Sequence, residues 1–556
     1  SNDLSGKGQI TKTRQALLDF LTQAPDLSRE KILAQSGVSA SVFKSARDKG
    51  LIEVTSQSLN LPFSKPDPDF NPPEFRDDQS QALTELRAQT QSGSFAPVLL
   101  DGVTGSGKTL VYFDLIADAI QAGKSTLVLL PEIALSAQWL KQFKDRFGTE
   151  PAIWHSSLTP AERRSTWRAV AEGRVSVLVG ARSALYLPFP SLGLMVVDEE
   201  HESAFKQEEG TRYHARDVAV VRAKFEDCPI ILSSATPSLE TINNAQKGRY
   251  SRVALTKRHA KTNLVQASLI DLRQSKPARG KWLAEPLVEA VRETVEQGDQ
   301  ALLFLNRRGY SPLTLCSSCG HRMECDFCST WLVSHRFRQQ LACHHCGLTR
   351  PVPPKCPNCG QEDSLIACGP GVERVLEELQ DLFPEKTVDL VSSDHLISPG
   401  KVEEFIERMK NREIDILVGT QIVAKGYNFP DLTLVGIVDA DLGLNGGDPR
   451  AAEKSFQLIH QVAGRAGRFD KPGRVMLQTY EPDHPVLMAL AANDRDQFYK
   501  AEIEQRSLSL LPPFGRLAIV ILSDPDEQVL QQISQVIADF MPDVEGAQIL
   551  GPAPAP

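Results

Sequence analysis

The stretch of sequence that decides the fold is PVLLDGVTGSGKT, residues 97–109. It opens with a short apolar run and continues into the pattern G-x-x-x-x-G-K-[ST] at 102–109. Between a strand and a helix, this pattern forms a loop whose backbone N–H groups converge on phosphate oxygens, while the helix directs its positive end at the anion. The sequence therefore predicts an α/β sheet that binds a nucleoside triphosphate at the end of one strand.

The residues of this loop have distinct expected tasks in binding ATP and Mg²⁺. Lys108 places a positive charge beside the β- and γ-phosphates, and Thr109 offers a hydroxyl to Mg²⁺. An ordinary glycine turn is the alternative, but the full pattern arises rarely by chance at average glycine frequencies. The predicted nucleotide-binding residues are the whole loop and one upstream glutamine: Gly102, Val103, Thr104, Gly105, Ser106, Gly107, Lys108, Thr109 and Gln79.

Short apolar runs alternate with helical segments on both sides of the loop. Such alternation is typical of a parallel, doubly wound sheet. Two successive sets of runs indicate two similar α/β lobes in tandem. The first set is 97–100, 126–130, 175–179, 194–197 and 230–232, and the second is 301–305, 388–391, 415–418, 434–438 and 474–478.

The 556 residues are enough for roughly three to four domains. The N-terminal segment has the helix-turn-helix spacing of a winged helix, with a strand expected at 51–54. The sequence leaves two roles open for this domain, contact with DNA or packing against the rest of the protein. Both ends of the chain are expected to be cut. The expected segments are a winged helix at 1–55, a proline-rich linker at 56–74, lobe 1 at 75–270, lobe 2 at 271–311 and 369–481, a cysteine-rich insertion at 312–368, and part of an α+β C-terminal domain at 482–556.

Composition narrows the class of protein without deciding it. No run of about 18 apolar residues occurs, and the N-terminus has no apolar signal core, so we expect a cytoplasmic protein with no membrane partner. The formal net charge of −9 argues only mildly against a nucleic-acid partner, because binding depends on a local basic path.

An acidic cluster follows an apolar strand at VVDEEH, residues 196–201. A phosphate-binding loop needs a metal-ordering acid at a neighbouring strand end, where ligands bind in such sheets. Asp198 is the predicted residue for Mg²⁺, held through water, and Glu199 is predicted to polarise the attacking water. Glu200 has the weaker case, since one of three adjacent acids is often only solvated.

Eight of the ten cysteines form four C-x-x-C pairs within one segment. Without a secretory signal, this spacing indicates metal rather than disulfides, and eight thiolates fill two tetrahedral Zn²⁺ sites. We favour a nested pairing, in which the outer two pairs bind one zinc and the inner two the other; side-by-side pairing is the rival. The predicted ligands are Cys316, Cys319, Cys325, Cys328, Cys343, Cys346, Cys356 and Cys359.

Further motifs occur in a fixed order around the acidic cluster. Together with VVDEEH they resemble the motifs of superfamily 2 DEAH-type helicases, whose two lobes are RecA-like. QVAGRAGR carries Arg465 and Arg468, which are candidates to reach across a cleft to the γ-phosphate as arginine fingers. The motifs are LPEIALSAQ at 130–138, GARSALYLPF at 180–189, SSATPS at 233–238, GTQIVAKGYNFPDL at 419–432 and QVAGRAGR at 461–468.

The cysteine insertion and the preceding winged helix narrow the resemblance to the bacterial primosomal replication-restart helicases. That resemblance implies a DNA-stimulated ATPase that unwinds DNA with 3′ to 5′ polarity at branched or stalled forks and starts primosome assembly. It also implies nested zinc pairing, a monomer acting at the nucleoid, and as partners single-stranded and forked DNA, other primosome proteins and single-strand DNA-binding protein. A duplex translocase, an RNA helicase and an ATP-regulated scaffold that loads replication proteins are the alternatives.

Aromatic and basic residues follow the acidic cluster and resemble an aromatic-rich loop of this family. Such a loop can stack on bases of single-stranded DNA and report to the ATP site. The alternative is that the aromatic side chains pack against the core of lobe 1. The predicted DNA-coupling residues are Phe205, Lys206, Tyr213, His214 and Arg216.

Overall fold

The computed structural model describes two compact units, residues 1–62 and 63–556, within which some segments are left undescribed. The described residues are 11–23, 32–33, 36–54, 63–131, 137–207, 209–257, 266–278, 281–305, 313–316, 319, 321, 323, 325, 332–335, 340–342, 348–362, 364–368, 372–391, 399–420, 429–444, 448–467, 471–518, 520–524, 526–542 and 545–546.

The N-terminal unit packs helix α1 (Lys12–Gln23) and helix α2 (Ala40–Asp48) around a small core that includes Leu17 and Phe43. Gly50, just after α2, has a φ of 63°, a conformation that glycine adopts without strain. The strand expected at 51–54 is wrong, since these residues are bends and irregular chain. Leu51 and Ile52 pack against the same core, and Val54 is exposed. The winged-helix interpretation stays a prediction.

Lobe 1 is a seven-stranded parallel sheet in the order β3-β4-β2-β5-β8-β1-β9. Apolar clusters cover both faces, as a parallel sheet between helices requires. Its strands are β1 (Pro97–Gly102), β2 (Ser125–Leu129), β3 (Ala152–Trp154), β4 (Val177–Gly180), β5 (Leu192–Asp198), β8 (Ile230–Ser234) and β9 (Ser251–Leu255), with the two-stranded hairpin β6 (Lys206–Gln207) and β7 (Tyr213–His214) outside the sheet. Its helices are α3 (Asp77–Thr90), α4 (Lys108–Gln121), α5 (Ala137–Phe147), α6 (Pro160–Ala171), α7 (Ala215–Phe225) and α8 (Leu239–Gln246), with 3₁₀ turns at Arg182–Tyr186 and Ser203–Phe205.

Lobe 2 is a six-stranded parallel sheet in the order β10-β20-β19-β11-β18-β17. Because β10 begins at Gln266 and pairs with β20, the second sheet starts before residue 271, where the sequence placed it. Its strands are β10 (Gln266–Asp271), β11 (Gln300–Phe304), β17 (Val388–Val391), β18 (Ile416–Gly419), β19 (Leu432–Ile437) and β20 (Arg474–Thr479). Its helices are α9 (Glu285–Glu296), α10 (Val372–Leu382), α11 (Pro399–Lys410) and α12 (Ala451–Ala463).

A five-stranded antiparallel sheet interrupts lobe 2 between β11 and α10, where the cysteine block lies. A small apolar cluster that includes Met323, Leu332 and Leu341 forms its core. The strands, in the order β15-β14-β13-β12-β16, are β12 (Leu313–Cys316), β13 (Val333–His335), β14 (Gln340–Ala342), β15 (Thr349–Pro351) and β16 (Leu365–Cys368).

Helices α13 (Pro485–Ala491) and α14 (Arg495–Leu508) pack on lobe 2 rather than forming part of a separate C-terminal domain. Their apolar residues, Leu487 and Phe498 among them, belong to the core cluster of lobe 2. The sequence placed this stretch in a domain starting at 482, and burial contradicts that placement. Within the segment expected to be α+β, helix α15 spans Glu527–Phe540, and the described residues of 517–524 form no strand.

Candidate nucleotide site, its couplings and the zinc centre

The phosphate-binding loop has the backbone that its glycines permit. Gly105 and Gly107 have φ values of 78° and 86°, and α4 begins directly after them. A Cβ atom at Gly102 would lie 2.7 Å from Oγ of Ser106, and one at Gly107 would lie 2.3 Å from Nε2 of Gln79. The loop is therefore a tight cradle at the N-terminus of a helix, which fits a phosphate group.

Two side chains fix the loop from opposite sides. Lys108 is almost fully buried and donates from Nζ to the carbonyl of Gly102 (2.8 Å). Gln79 is buried, donates from Nε2 to the carbonyl of Ser106 (2.9 Å) and accepts from the backbone N–H of Arg76 (3.1 Å). Because both ends of its amide hold protein groups, Gln79 supports the loop backbone here, and its direct contact with nucleotide stays a prediction.

Asp198 is the last residue of β5, at the carboxyl edge of the sheet beside the loop. Its Oδ2 accepts from the Tyr112 hydroxyl (2.9 Å) and its Oδ1 accepts from the backbone N–H of Glu199 (3.1 Å). Burial raises the pKa of Asp198, and the Glu199 carboxylate raises it further, while the Lys108 ammonium acts in the opposite direction. A carboxylate beside a hydroxyl, Thr109, is an oxygen donor set that fits Mg²⁺.

Glu199 has a left-handed backbone, with a φ of 49°. A non-glycine residue in this region costs of order 1 kcal/mol, and such residues cluster at functional sites. The left-handed residue turns the chain directly after β5, and Oε2 of Glu199 lies 3.6 Å from Nδ1 of His201. A role for Glu199 at the attacking water stays a prediction.

Glu200 is not a solvated acid but the centre of a buried network. It is fully buried and accepts from the backbone N–H of Ser238 (2.7 Å), the Thr241 hydroxyl (3.0 Å) and Nη1 of Arg216 (3.0 Å). Burial opposes the charge on Arg216, but the Glu200 and Asp217 carboxylates outweigh it and hold the pKa of the guanidinium above its ordinary value. The network joins the acidic cluster to the SSATPS motif.

Arg216 is therefore misplaced among the predicted DNA-coupling residues. Its side chain is almost fully buried, and both of its bonded faces are occupied by protein carboxylates and by the Ser238 hydroxyl. A guanidinium enclosed in this way has no path to a DNA phosphate.

His201 connects three motifs through its two ring nitrogens. Nδ1 lies 2.7 Å from Oγ of Ser234, and Nε2 lies 2.8 Å from the amide nitrogen of Gln461 on α12. An amide nitrogen only donates, so Nε2 accepts and the ring proton sits on Nδ1, facing Ser234. One histidine thus links the acidic cluster, the SSATPS motif and the QVAGRAGR motif of the other lobe.

Helix α12 makes further contacts with the SSATPS segment of lobe 1. Gln457 donates from Nε2 to the carbonyl of Thr236 (3.2 Å), and Glu453 accepts from the backbone N–H of Leu239 (3.0 Å). The two lobes are consequently joined in part through the SSATPS and QVAGRAGR motifs and the helix between them.

The segment carrying the candidate arginine finger lies against the phosphate-binding loop. A Cβ atom at Gly464 would lie 3.1 Å from Cγ2 of Thr104, and Arg465 is the next residue, half-buried just beyond the end of α12. Close approach at Gly464 brings Arg465 to the mouth of the cradle. Arg468 lies outside the described residues.

The loop after the acidic cluster differs from expectation at Phe205. Its side chain is 1% exposed and belongs to the apolar cluster on one face of the lobe 1 sheet. The Phe205 ring cannot stack on a base, because it is part of the core. The alternative reading, in which the aromatic packs inward, holds for this residue.

The hairpin β6–β7 presents the remaining DNA-coupling candidates. Lys206 is exposed and pairs in register with His214, while Tyr213 is half-buried. Burial lowers the pKa of His214 to about 4, and the nearby Arg216 lowers it further, so this imidazole is neutral at neutral pH and offers no cation for phosphate. Tyr213 packs edge-to-face on Tyr186, and the Tyr186 side chain is 61% exposed. Tyr186 was not among the residues predicted to contact DNA, although it belongs to the GARSALYLPF motif.

Four cysteines of the insertion converge as a metal site. The ligand atoms of Cys316, Cys319, Cys356 and Cys359 all lie within 4.8 Å of one another. The Sγ atoms of Cys316 and Cys359, like those of Cys319 and Cys356, are 3.7 Å apart. Tetrahedral Zn–S bonds of about 2.3 Å place sulfurs roughly 3.8 Å apart, so the four thiolates fit one Zn²⁺.

This grouping joins the first and fourth C-x-x-C pairs, as nested pairing requires. Cys325, from the second pair, is buried in the core of the insertion. The other predicted ligands, Cys328, Cys343 and Cys346, lie outside the described residues, so the second zinc stays a prediction.

Cysteine-to-serine variants test the pairing by zinc content. We expect about two Zn²⁺ per chain in the parent protein and about one in Cys319→Ser, in Cys356→Ser and in the double variant, because nested pairing places both residues on the same ion. Side-by-side pairing would instead remove both ions from the double variant. Metal analysis of protein purified without chelators measures the difference, and Cys228→Ser, which changes a buried cysteine outside the insertion, is the control.

The phosphate-binding loop and the acidic strand end of one parallel-sheet lobe, contacted by the QVAGRAGR segment of a second lobe, are the arrangement of an ATP-dependent helicase. Family models agree: residues 76–245 match the DEAD/DEAH box helicase model, 361–470 the helicase conserved C-terminal domain, and 325–351 the PriA DNA helicase Cys-rich region domain. No helix in the described part of the chain is both long and apolar enough to cross a membrane.

Curated relatives identify the family. The chain is 45% identical over 502 residues to the replication restart protein PriA of Rickettsia conorii, covering 90% of this chain and 76% of the relative. It is 38% identical to the replication restart protein PriA of Bacillus subtilis, over 99% of this chain and 69% of the relative. It is also 38% identical to the replication restart protein PriA of Haemophilus influenzae, over 99% of this chain and 75% of the relative. The chain belongs to the replication restart protein PriA family, and it is an ATP-dependent DNA helicase.

Solved structures resemble the chain in part. The helicase MrfA bound to DNA gives a TM-score of 0.48 at 16% identity, covering 77% of this chain and 51% of that one. RecG bound to a three-way DNA junction gives a TM-score of 0.45 at 19% identity, covering 79% of this chain and 50% of that one.

Proposed function

We propose that this chain uses ATP hydrolysis to move along one DNA strand, to unwind branched or stalled replication forks, and to start primosome assembly for replication restart. The observation that carries the proposal is the hydrogen bond from Gln461 to His201 (2.8 Å), which ties the motif of one lobe to the acidic cluster of the other. A change at the nucleotide therefore reaches both lobes at once, as a motor requires.

Five residues carry the proposed chemistry. Bound Mg²⁺ neutralises charge on the transferring phosphoryl group. Lys108 and Thr109 hold the phosphates and the metal from the loop, Asp198 orients the metal through water, and Glu199 orients and polarises the attacking water. Arg465 stabilises the charge that develops on the γ-phosphoryl oxygens, and Arg468 is the second candidate for that task.

The fork, the 3′ to 5′ polarity and the protein partners rest on family membership. The proposed partners are single-stranded and forked DNA, other primosome proteins and single-strand DNA-binding protein, and the proposed place of action is the bacterial nucleoid. We also propose two Zn²⁺ per chain, each held by four cysteines and each structural, because a filled tetrahedral site leaves no position for a reactant.

Coupling between DNA and the ATP site is proposed for the β6–β7 hairpin, with a smaller set of residues than the sequence indicated. Lys206 supplies a charge to phosphate, and the edge-to-face pair of Tyr213 and Tyr186 supplies an exposed ring for stacking. The hairpin is bonded to the Arg182–Tyr186 turn, because Arg182 donates to the carbonyl of Lys206. Bound DNA can thus move the β6–β7 hairpin, which begins a few residues after Glu199 in the ATP site.

The test compares ATP hydrolysis and strand separation on forked DNA, matched RNA and blunt duplex. We expect forked DNA to stimulate hydrolysis most, and Tyr213→Ala to raise the DNA concentration for half-maximal stimulation roughly 10-fold, since one stacked base contributes about 1–3 kcal/mol. Phe225→Ala, which removes an exposed aromatic from α7, is the matched control and should behave as the parent does.

Two results would point away from this function. Equal stimulation by RNA would favour an RNA helicase, and stimulation by blunt duplex without strand separation would favour a duplex translocase. Lys108→Arg distinguishes a scaffold: unwinding should disappear in this variant, and loading of replication proteins that survives it would make the ATPase secondary.

A further inference from the structure

We propose that the Tyr112 hydroxyl positions the Asp198 carboxylate for Mg²⁺, and that Trp139 orients this hydroxyl from the helix that follows the LPEIALSAQ motif. Tyr112 is the positioning residue, and it acts through Asp198 rather than on the nucleotide. The inference rests on the metal site given under the proposed function.

The contacts form a chain of three side chains across two helices. The indole Nε1 of Trp139 on α5 donates to the hydroxyl oxygen of Tyr112 on α4 (2.7 Å). That hydroxyl donates to Oδ2 of Asp198 at the end of β5 (2.9 Å). Tyr112 is fully buried and Trp139 nearly so, which leaves no water to replace either bond.

The direction of each bond follows from what each group can donate. An indole nitrogen only donates, so the oxygen of Tyr112 must accept from Trp139, and its single proton is left for Asp198. Burial raises the pKa of Tyr112 well above its ordinary value, and the Asp198 carboxylate raises it further, so the hydroxyl keeps its proton.

The phenol therefore holds the carboxylate that is predicted to order Mg²⁺. Its bond occupies Oδ2 of Asp198 on one side and sets the rotation of the carboxylate, while the Glu199 N–H fixes Oδ1. Groups that hold a metal ligand through a hydrogen bond typically contribute 10–100-fold to metal affinity. Tyr112 has the position and the bonding of such a group.

Trp139 connects this arrangement to the strand-tracking motif. LPEIALSAQ ends at residue 138, inside the first turn of α5, and Trp139 is the next residue. The Trp139 ring stacks on Phe143 and packs edge-to-face on Phe113 of α4, so α5 and α4 are joined by aromatic contacts as well as by the indole bond. A shift of α5 on DNA binding would reach Asp198 without passing through the β6–β7 hairpin.

The experiment titrates Mg²⁺ against binding of a fluorescent N-methylanthraniloyl-ATP, with and without single-stranded DNA. Tyr112→Phe keeps the ring and removes the hydroxyl, and we expect its Mg²⁺ midpoint to rise roughly 10-fold. Trp139→Phe keeps an aromatic ring and removes the N–H, and we expect a smaller rise together with loss of any shift that DNA causes in the parent. Tyr250→Phe is the control, because this half-buried tyrosine packs against the other apolar cluster of lobe 1 and not against that of Tyr112 and Trp139.

Asp198→Asn separates failure of the relay from failure of the metal site. If Asp198→Asn raises the Mg²⁺ midpoint and Tyr112→Phe leaves it at the parent value, the relay is overturned while the metal site stands. If neither variant changes the midpoint, both are overturned. Thermal unfolding midpoints accompany each titration, and a rise in the Mg²⁺ midpoint of a variant that stays folded supports the proposal.

Discussion

Arg465→Ala should lower the turnover of DNA-stimulated ATP hydrolysis by about 1,000-fold, with the KM for ATP changed little. An arginine that meets the γ-phosphoryl group only in the transition state contributes 10³–10⁵-fold to turnover in related phosphoryl-transfer enzymes. Removing an interaction made only in the transition state lowers kcat without weakening substrate binding. Steady-state hydrolysis with saturating DNA measures both constants.

The structure favours Arg465 for this task because of its neighbours. Gly464 approaches Thr104 closely, Gln461 bonds to His201, and α12 ends two residues before Arg465. The residues just before Arg465 therefore contact both the phosphate-binding loop and the acidic cluster. A planar fork of five donors matches phosphate geometry, so Arg465→Lys, which keeps only the charge, should recover little of the lost turnover.

A surface arginine provides the control for this prediction. Arg292 forms an exposed ion pair with Glu289 on α9, away from the loop, and Arg292→Ala should hydrolyse ATP as the parent does. A fold-intact Arg465→Ala protein that keeps parental turnover would exclude the arginine finger at this position. Arg468 would then be the remaining candidate.

The sequence predicted those parts of the fold that depend on local pattern. The glycines of residues 102–107 indicate a loop with left-handed backbone, and the apolar runs indicate buried strands. The order of the motifs indicates two lobes. The loop, the strands and the lobes could therefore all be predicted without coordinates. The same holds for the first and fourth cysteine pairs, whose spacing already indicates a zinc ligand set.

Burial of individual polar and aromatic residues could not be predicted from the sequence. Glu200 and Arg216 belong to a charge-rich run, and nothing local distinguishes a solvated acid from one that receives hydrogen bonds from Ser238 and Thr241 far along the chain. Phe205 was expected at a DNA surface because the stretch resembles an aromatic-rich loop of the helicase family, yet the chain turns its ring into the core. These outcomes depend on which elements pack together.

The same limit explains the misplaced helices after lobe 2. Arg495 on α14 pairs with Asp101 and donates to the carbonyl of Ala235, and Tyr499 donates to the carbonyl of Pro237 (2.7 Å). Residues nearly 400 positions apart are brought together here, and no local signal marks them as partners. Helix α14 consequently braces lobe 1 beside the phosphate-binding loop, although its sequence resembles that of any surface helix.

The second large effect is on stability: Arg216→Ala should destabilise lobe 1 by about 3 kcal/mol. Removing one partner of a buried ion pair leaves the other charge without its counter-ion, and the two side chains here are 4% and 0% exposed. For a domain of this size, that loss corresponds to a fall of roughly 6–12 °C in the unfolding midpoint. Arg212→Ala, which removes an exposed arginine four residues earlier, should leave the midpoint unchanged.

A double variant separates the ion pair from a DNA contact. Arg216→Met with Glu200→Gln removes both charges. The amide oxygen can still accept from the Ser238 N–H, and the amide nitrogen that replaces the other carboxylate oxygen can donate to the Thr241 hydroxyl, so part of the lost stability should return. A phosphate contact at Arg216 predicts the opposite pattern: an unchanged midpoint, weaker DNA binding, and a salt dependence reduced by about one ion. The buried network excludes that pattern, because the guanidinium that would contact DNA is the one that keeps Glu200 paired inside lobe 1.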